Sequence, residues 1–235
     1  MQSILAFDTT AEFLSVAVFH GGLLYSSYLE IGLTHGEVLP QEVDRLLSKA
    51  GITPKDLTGI VCSRGPGSFT GLRIGMSFAK GFQGAVGTPM ASVSLLEVYG
   101  WIYGFFPGVV LPVIDGRKQR YYAQAFSRGM ACSPAWDKEP AELVSAIQSL
   151  VREPLGDNPG RVLLTGPHAD RFITNQDLPE GWVLDSAPRP NIAAGMIRLG
   201  LERFARGETD APDFGPEYLR ESQAVEDNSR GYSSF

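Results

Sequence analysis

The chain has 235 residues, 43% apolar and 20% charged, enough to bury a core in one large or two small domains. Its net charge is −6 and it contains no basic run, so autonomous nucleic-acid binding, which needs clustered Lys and Arg, is not expected. Cys62 and Cys132 stand far apart and suggest neither a disulfide framework nor a zinc site. The N-terminal residues read as a strand rather than a signal peptide, and no apolar stretch approaches a membrane span; no membrane association is expected, and the expected compartment is the cytoplasm.

In chain order, Ile4–Phe7 is an apolar run closed by the turn-type cluster Asp8-Thr9-Thr10. Phe13–Phe19 and Leu23–Ile31 follow as strands around His20-Gly21-Gly22, giving a meander. Thr34 and Glu37 have capping-box spacing and open a helix to about Ala50, with Val38, Val43, Leu46 and Leu47 as its apolar stripe. Gly51 ends that helix, and Pro40 within it predicts a kink or a delayed start. A strand over Gly59–Ser63, a glycine-rich loop, a helix over Leu72–Ala85, a strand over Met90–Val93 and a helix over Leu95–Gly104 complete the first half. Gly75, Ala79 and Gly84 are expected to leave one side of the second helix bare.

The second half begins as the first does. Leu111–Asp115 aligns without a gap on Ile4–Asp8, and the same offset places Phe126 on Phe19 and Gly129 on Gly22. The remainder is shorter: helices over about Ala141–Val151 and His168–Thr174, strands at Arg161–Thr165 and Trp182–Leu184, and a closing helix over Ile192–Arg206. The expected fold class is α/β with two ribonuclease-H-like lobes, the second abridged. The lobes are expected over residues 1–107 and 108–215, with residues 216–235 as a C-terminal segment ending in a flexible tail.

The segment Ser63 to Gly75, SRGPGSFTGLRIG, carries the strongest functional signal. It holds Arg64, Gly65, Pro66, Gly67, Ser68, Phe69, Thr70, Gly71, Arg73 and Gly75 between a strand and a helix. Phosphate cradle, docking surface and structural turn all fit that chemistry, since the loop lacks the GK[ST] ending of a P-loop and the GxGxxG spacing of a dinucleotide fingerprint. Asp8, Thr9 and Thr10 are candidates for contact with metal-bound phosphate, or for an Asx-type turn closing a hairpin. Asp115-Gly116-Arg117 is the second-lobe counterpart. His35 has Leu39 four residues on, so no helical histidine pair exists and no metal site is expected. Ser68 lacks the G-x-S-x-G frame, neither cysteine has a nucleophile's setting, and no catalytic residue is assigned.

Five segments together resemble the TsaB (YeaZ) family: ILAFDTTAEFLSVAVF, THGEVLP, SRGPGSFTGLRIGMSFAKG, VIDGRKQRYYAQAF and the late PEYLR of Pro216–Arg220. The resemblance implies an actin-like ATPase (ASKHA) fold and a part in making threonylcarbamoyladenosine in ANN-decoding tRNAs. It implies a non-catalytic subunit that binds the transferase paralogue TsaD and the ATPase TsaE, forms a homodimer when alone, and meets tRNA only through the complex. No cofactor is expected. On this view the docking surface lies on the first lobe, on the helices after Thr34 and Thr70, with His35 and the glycine loop at its edge, and Asp8, Thr9 and Thr10 are a vestige of a nucleotide site. His35 stands where TsaD-like relatives begin a histidine pair, which Leu39 breaks. A small ASKHA-type ATPase or phosphotransferase is the alternative, and a glycoprotease-like peptidase a distant third.

Overall fold

A computed structural model describes residues 2–32, 34–151, 160–174, 178–185, 190–211 and 213–215. The late PEYLR motif and the 216–235 segment lie outside the described residues.

Ile4–Phe7 and Val16–Val18 are buried on both sides of the chain, the pattern of strands covered by helices on both faces. They lie in β1 (Ser3–Asp8) and β2 (Phe13–His20), which with β3 (Leu23–Glu30), β4 (Gly59–Gly65) and β5 (Met90–Ser94) form a sheet in the order β3-β2-β1-β4-β5. The meander half is antiparallel, while β1, β4 and β5 run parallel. Helices α1 (His35–Ala50) and α2 (Phe69–Val86) cover one face around Leu39, Val43, Leu46, Met76 and Ala79. The opposite face packs on α3 (Leu95–Ile102) and on α6 (Ile192–Ala205), which returns from the far end of the chain. That return depends on Gly200, where a Cβ would overlap the Val61 side chain of β4.

A second sheet repeats the plan. Strands β6 (Val109–Asp115), β7 (Tyr121–Ala123), β10 (Trp136–Lys138), β11 (Val162–Thr165) and β12 (Trp182–Leu184) lie in the order β10-β7-β6-β11-β12. Counted from β6, that is again third, second, first, fourth, fifth. Its meander strands are broken: β8 (Phe126–Ser127) continues the pairing of β7 along β6, and β9 (Met130–Ala131) pairs with β8. The turns after β2 and β8 match as well, with positive φ at Gly21 and Gly22 and at Arg128 and Gly129, the backbone twist that tight hairpins favour. Helices α4 (Pro140–Leu150) and α5 (Ala169–Ile173) cover the outer face through Leu143, Ile147, Ala169 and Phe172. Val110, Ile114 and Phe126 of the inner face share one cluster with α3 and α6, so those two helices lie between the sheets. The layers therefore run α1/α2, first sheet, α3/α6, second sheet, α4/α5. The α/β fold with two ribonuclease-H-like lobes, the second abridged, is what the sequence implied.

Two local expectations are corrected. Thr34 makes no capping box: its hydroxyl donates back to the Ile31 carbonyl at 3.0 Å, because its backbone (φ −90°, ψ 21°) is not extended as a capping serine or threonine needs. Helix α2 starts at Phe69 rather than Leu72, because Ser68 accepts from the Gly71 N–H and caps it three residues earlier. Gly51, by contrast, closes α1 in the left-handed conformation, with its N–H on the Leu47 and Ser48 carbonyls.

Candidate functional site

Two turns meet where β1 and β4 end. Asp8, Thr9 and Thr10 at the end of β1 are 2%, 2% and 4% exposed, and the β4–α2 loop lies over them. The Thr9 hydroxyl donates to the Gly71 carbonyl at 2.7 Å, and the Ser68 N–H donates to the Thr10 carbonyl at 2.8 Å. The Thr10 hydroxyl donates to the Asp8 carboxylate at 2.9 Å, with the Thr10 N–H at 3.3 Å from the same group. Burial pushes the Asp8 carboxyl up to about 6, against hydrogen bonds from Thr10, Ser63 and Thr9 that favour its charged form.

The glycines of the motif serve this closure. A Cβ on Gly67 would lie 2.5 Å from the Thr10 Cβ, and one on Gly75 would lie 2.6 Å from the Thr9 Oγ1. A Cβ on Gly71 would overlap the Thr9 carbonyl oxygen itself. The close approach that such a loop permits is thus made to the chain's own β1–β2 turn.

The remaining motif residues divide between two sides. Gly65 and Pro66 are buried, and Arg64 turns away from α2, donating to the Ser92 carbonyl at 3.2 Å and lying 3.5 Å from Glu97. It borders a cleft of about 150 Å³ with Pro66, Glu97, Gln124 and Ala135, below the roughly 300 Å³ at which small-molecule pockets begin. Ser68, Phe69, Thr70 and Arg73 are exposed together on the first turns of α2, with the Arg73 guanidinium 3.9 Å over the Phe69 ring. His35 lies beneath the surface, 4% exposed, with Nε2 3.3 Å from the Phe13 carbonyl; burial holds its pKa below the usual histidine value. It ties α1 to β2.

The bare side expected of α2 is also corrected. At about 100° per residue, Gly84 points opposite to Gly75. Gly75 and Ala79 face the sheet, whereas Ser77, Gly81, Gly84 and Ala85 face outward, and none of the described residues lies within 4 Å of where a Cβ on Gly81 or Gly84 would be. Thr70, Ile74, Ser77, Gly81 and Gly84 form one stripe at helical spacing, a signal present in the sequence that the reading of Gly75 and Ala79 obscured.

A second cluster, also missed, sits at the end of β6. Asp115 donates its N–H to His168 Nδ1 at 3.1 Å, and Arg171 lies 3.6 Å from the Asp115 carboxylate and 3.4 Å from Glu12 of the first lobe. Burial depresses the His168 pKa. No sequence motif joins these residues: Asp115 meets His168 and Arg171 through the packing of α5 on β6, about 50 residues apart in the chain, and only the Glu12 contact depends on how the lobes meet. Cys62 is fully buried, its thiol pushed up to about 12, a setting opposed to a nucleophile. Among the described residues, no group of three or more His, Cys, Asp or Glu is placed to hold a metal ion, and no helix is long and apolar enough to cross a membrane.

Residues 31–164 match the family model described as TsaD, tRNA N6-adenosine threonylcarbamoyltransferase. The chain is 29% identical over 225 residues to the tRNA threonylcarbamoyladenosine biosynthesis protein TsaB of Escherichia coli, covering 94% of this chain and 96% of that protein. It is 32% identical over 122 residues to the Bacillus subtilis protein of the same name, a match spanning 52% of this chain and about half (53%) of the relative. A Pseudomonas aeruginosa crystal structure, titled as an uncharacterized protein with similarity to peptidase YEAZ, superposes with a TM-score of 0.79 at 26% identity, covering 94% of this chain and 100% of that one. With the duplicated sheet order and the glycine loop folded onto Asp8-Thr9-Thr10, these matches leave one assignment: the chain belongs to the TsaB (YeaZ) family, paralogous to TsaD, whose model it matches over more than half its length.

Proposed function

We propose that this chain is a non-catalytic subunit of the system that places threonylcarbamoyl groups on adenosine of ANN-decoding tRNAs. It docks through the outer face of α1 and α2 onto a TsaD-type paralogue, supports a TsaE-type ATPase together with that paralogue, and pairs with itself when alone. It acts in the cytoplasm and meets tRNA only through the complex. The names of its relatives support the pathway, and the net charge of −6 supports leaving RNA contact to another subunit.

The observation that carries the docking surface is the pair Gly81 and Gly84. Each costs an isolated helix about 1 kcal/mol relative to alanine. Among the described residues, neither has a positive φ or a neighbour within 4 Å of its missing Cβ, so nothing described inside the fold requires glycine there. A helix packed closely from outside does require it. Beside them, Phe69 at 37% exposure and Arg73 supply an aromatic anchor and a cation, residue types enriched at interfaces.

The phosphotransfer alternative finds less support, because the Thr9 and Thr10 hydroxyls and the Asp8 carboxylate already bond to one another and to the glycine loop. Gel filtration of the chain mixed with its cognate TsaD-type paralogue tests the proposal, alongside a tRNA modification assay. Co-elution, and modification that depends on this chain, are expected. Separate elution with full modification in its absence defeats the proposal.

A further inference from the structure

The two edges of the first sheet are finished differently. At β5, five residues long, the Asp210 N–H donates to the Met90 carbonyl at 2.8 Å, and Arg64 and Arg203 both donate to the Ser92 carbonyl. At the other edge, β3 runs for eight residues in one unbroken register with β2, from Leu23 opposite His20 to Glu30 opposite Phe13. It contains no proline, bulge, lysine or arginine, the devices that keep an edge strand from pairing, and its one charged residue is Glu30 at the last position. In the second sheet, β10 and β12 at the ends of the strand order have three residues each, too short to need such protection.

The ladder fixes which backbone groups of β3 face outward. The Ile31 N–H donates to the Glu12 carbonyl at 3.2 Å, continuing the β2–β3 register by one residue. Alternate residues of an antiparallel strand bond to the same neighbour, so Leu23, Tyr25, Ser27 and Leu29 bond to β2. Leu24 and Ser26 direct their N–H and C=O groups the other way, where neither has a backbone partner among the described residues. The side chains along this edge are also open: Leu23 is 61% exposed, Leu24 49%, and Ser26 is exposed.

We propose that β3 pairs antiparallel with β3 of a second copy of this chain, about a two-fold axis at Ser26, joining two five-stranded sheets into one. Each Ser26 then exchanges both backbone bonds with its counterpart. Leu23 lies opposite Leu29 and Leu24 opposite Tyr28, so each exposed leucine meets an apolar residue. Glu30 lies opposite Gly22, which keeps the two like charges at opposite ends of the ladder. Residues 23–29 carry no charge, so the strand has nothing that repels its own copy and nothing that selects a charged foreign strand. The inference rests on the self-pairing part of the proposed function and names its surface. Helix α2 packs on β4 and β5, away from β3, so its outer face stays clear on each copy.

The test combines sedimentation of the full-length chain over a range of concentrations with amide hydrogen exchange read residue by residue. A dimer that grows with concentration is expected. In it the Leu24 and Ser26 amides should exchange at least tenfold more slowly than in the dilute chain, while those of Tyr25 and Ser27, already bonded to β2, change less than twofold. Ser26→Lys sets two cations opposite each other at an exposed position. It should weaken the dimer at least tenfold and leave the circular dichroism of the dilute chain unchanged. A dimer in which the Leu24 and Ser26 amides stay unprotected, and which Ser26→Lys leaves intact, overturns the β3 contact while self-pairing itself stands. A chain that is monomeric at every concentration overturns both. Protection of these two amides only when the TsaD-type paralogue is added assigns the edge to a foreign strand and likewise overturns the proposal.

Discussion

The two lobes use one plan for different ends. In both, the first strand ends in aspartate, and the fourth strand ends in Gly-Pro with the glycine at strongly positive φ, 115° at Gly65 and 105° at Gly166. In the first lobe that corner leads into the 18-residue α2, and its loop seals Asp8 from solvent. In the second it leads into the five-residue α5, and Asp115 stays half-buried and paired with Arg171. The first lobe thus keeps long helices with an outer face, while the second lost helix length and strand continuity. A duplicated fold can keep its sheet order while only one copy keeps two long helices on its outer face.

The largest expected effect breaks the sealed corner. Gly71→Ala drives a methyl group into the Thr9 backbone, which cannot swing aside as a long side chain would. A loss of about 3 kcal/mol or more in denaturant unfolding is expected. In the second lobe, Gly166→Ala meets the Val113 carbonyl at 2.5 Å from an unfavourable φ, and a comparable loss is expected. A mild effect at Gly71 alone would mean that the first corner is looser than its duplicate.

Asp8→Asn gives the next effect. The folded carboxyl titrates near 6 and the unfolded one near 3.8, so the native state binds the proton more tightly. Stability from this group is complete below pH 4 and is lost as pH rises through 6. Raising the carboxyl from 3.8 to about 6 corresponds to roughly 3 kcal/mol. The Asn variant should therefore gain on the native protein by about that amount between pH 4 and pH 7 in denaturant titrations. Parallel curves for the two proteins would show that Asp8 is not penalised by its burial.

Most of the order of elements along the chain was legible in the sequence, because buried strands write apolar runs and their turns write glycine; the short β10 was not, since Trp136–Lys138 writes no apolar run. The duplication was legible too, through Asp8 and Asp115 and through Gly22 and Gly129. The assignment of the motif glycines was not. Glycine permits close approach without saying to what, and only the position of the Thr9 backbone shows that Gly67, Gly71 and Gly75 face inward. His35 was hidden in the same way: a histidine opening a helix reads alike whether it faces solvent or the Phe13 carbonyl.

Smaller effects sharpen the contrast between the inner and outer faces of α2. Gly84→Ala should raise the stability of the isolated chain by about 0.5–1 kcal/mol, since the added methyl meets open space. The same change should weaken association, so the two measurements move in opposite directions. Arg171→Ala removes the half-exposed pairs with Glu12 and Asp115, and less than about 1 kcal/mol is expected in thermal unfolding.

The central claim is that the outer face of α2 docks a TsaD-type partner. Its most direct measurement is the affinity of that partner, by calorimetry, for the native chain and for Gly84→Trp. At least a tenfold weakening is expected, with the circular dichroism of the isolated variant unchanged and its unfolding midpoint no lower than that of the native chain. Equal affinity for the two proteins would contradict the claim and place the partner elsewhere on the molecule.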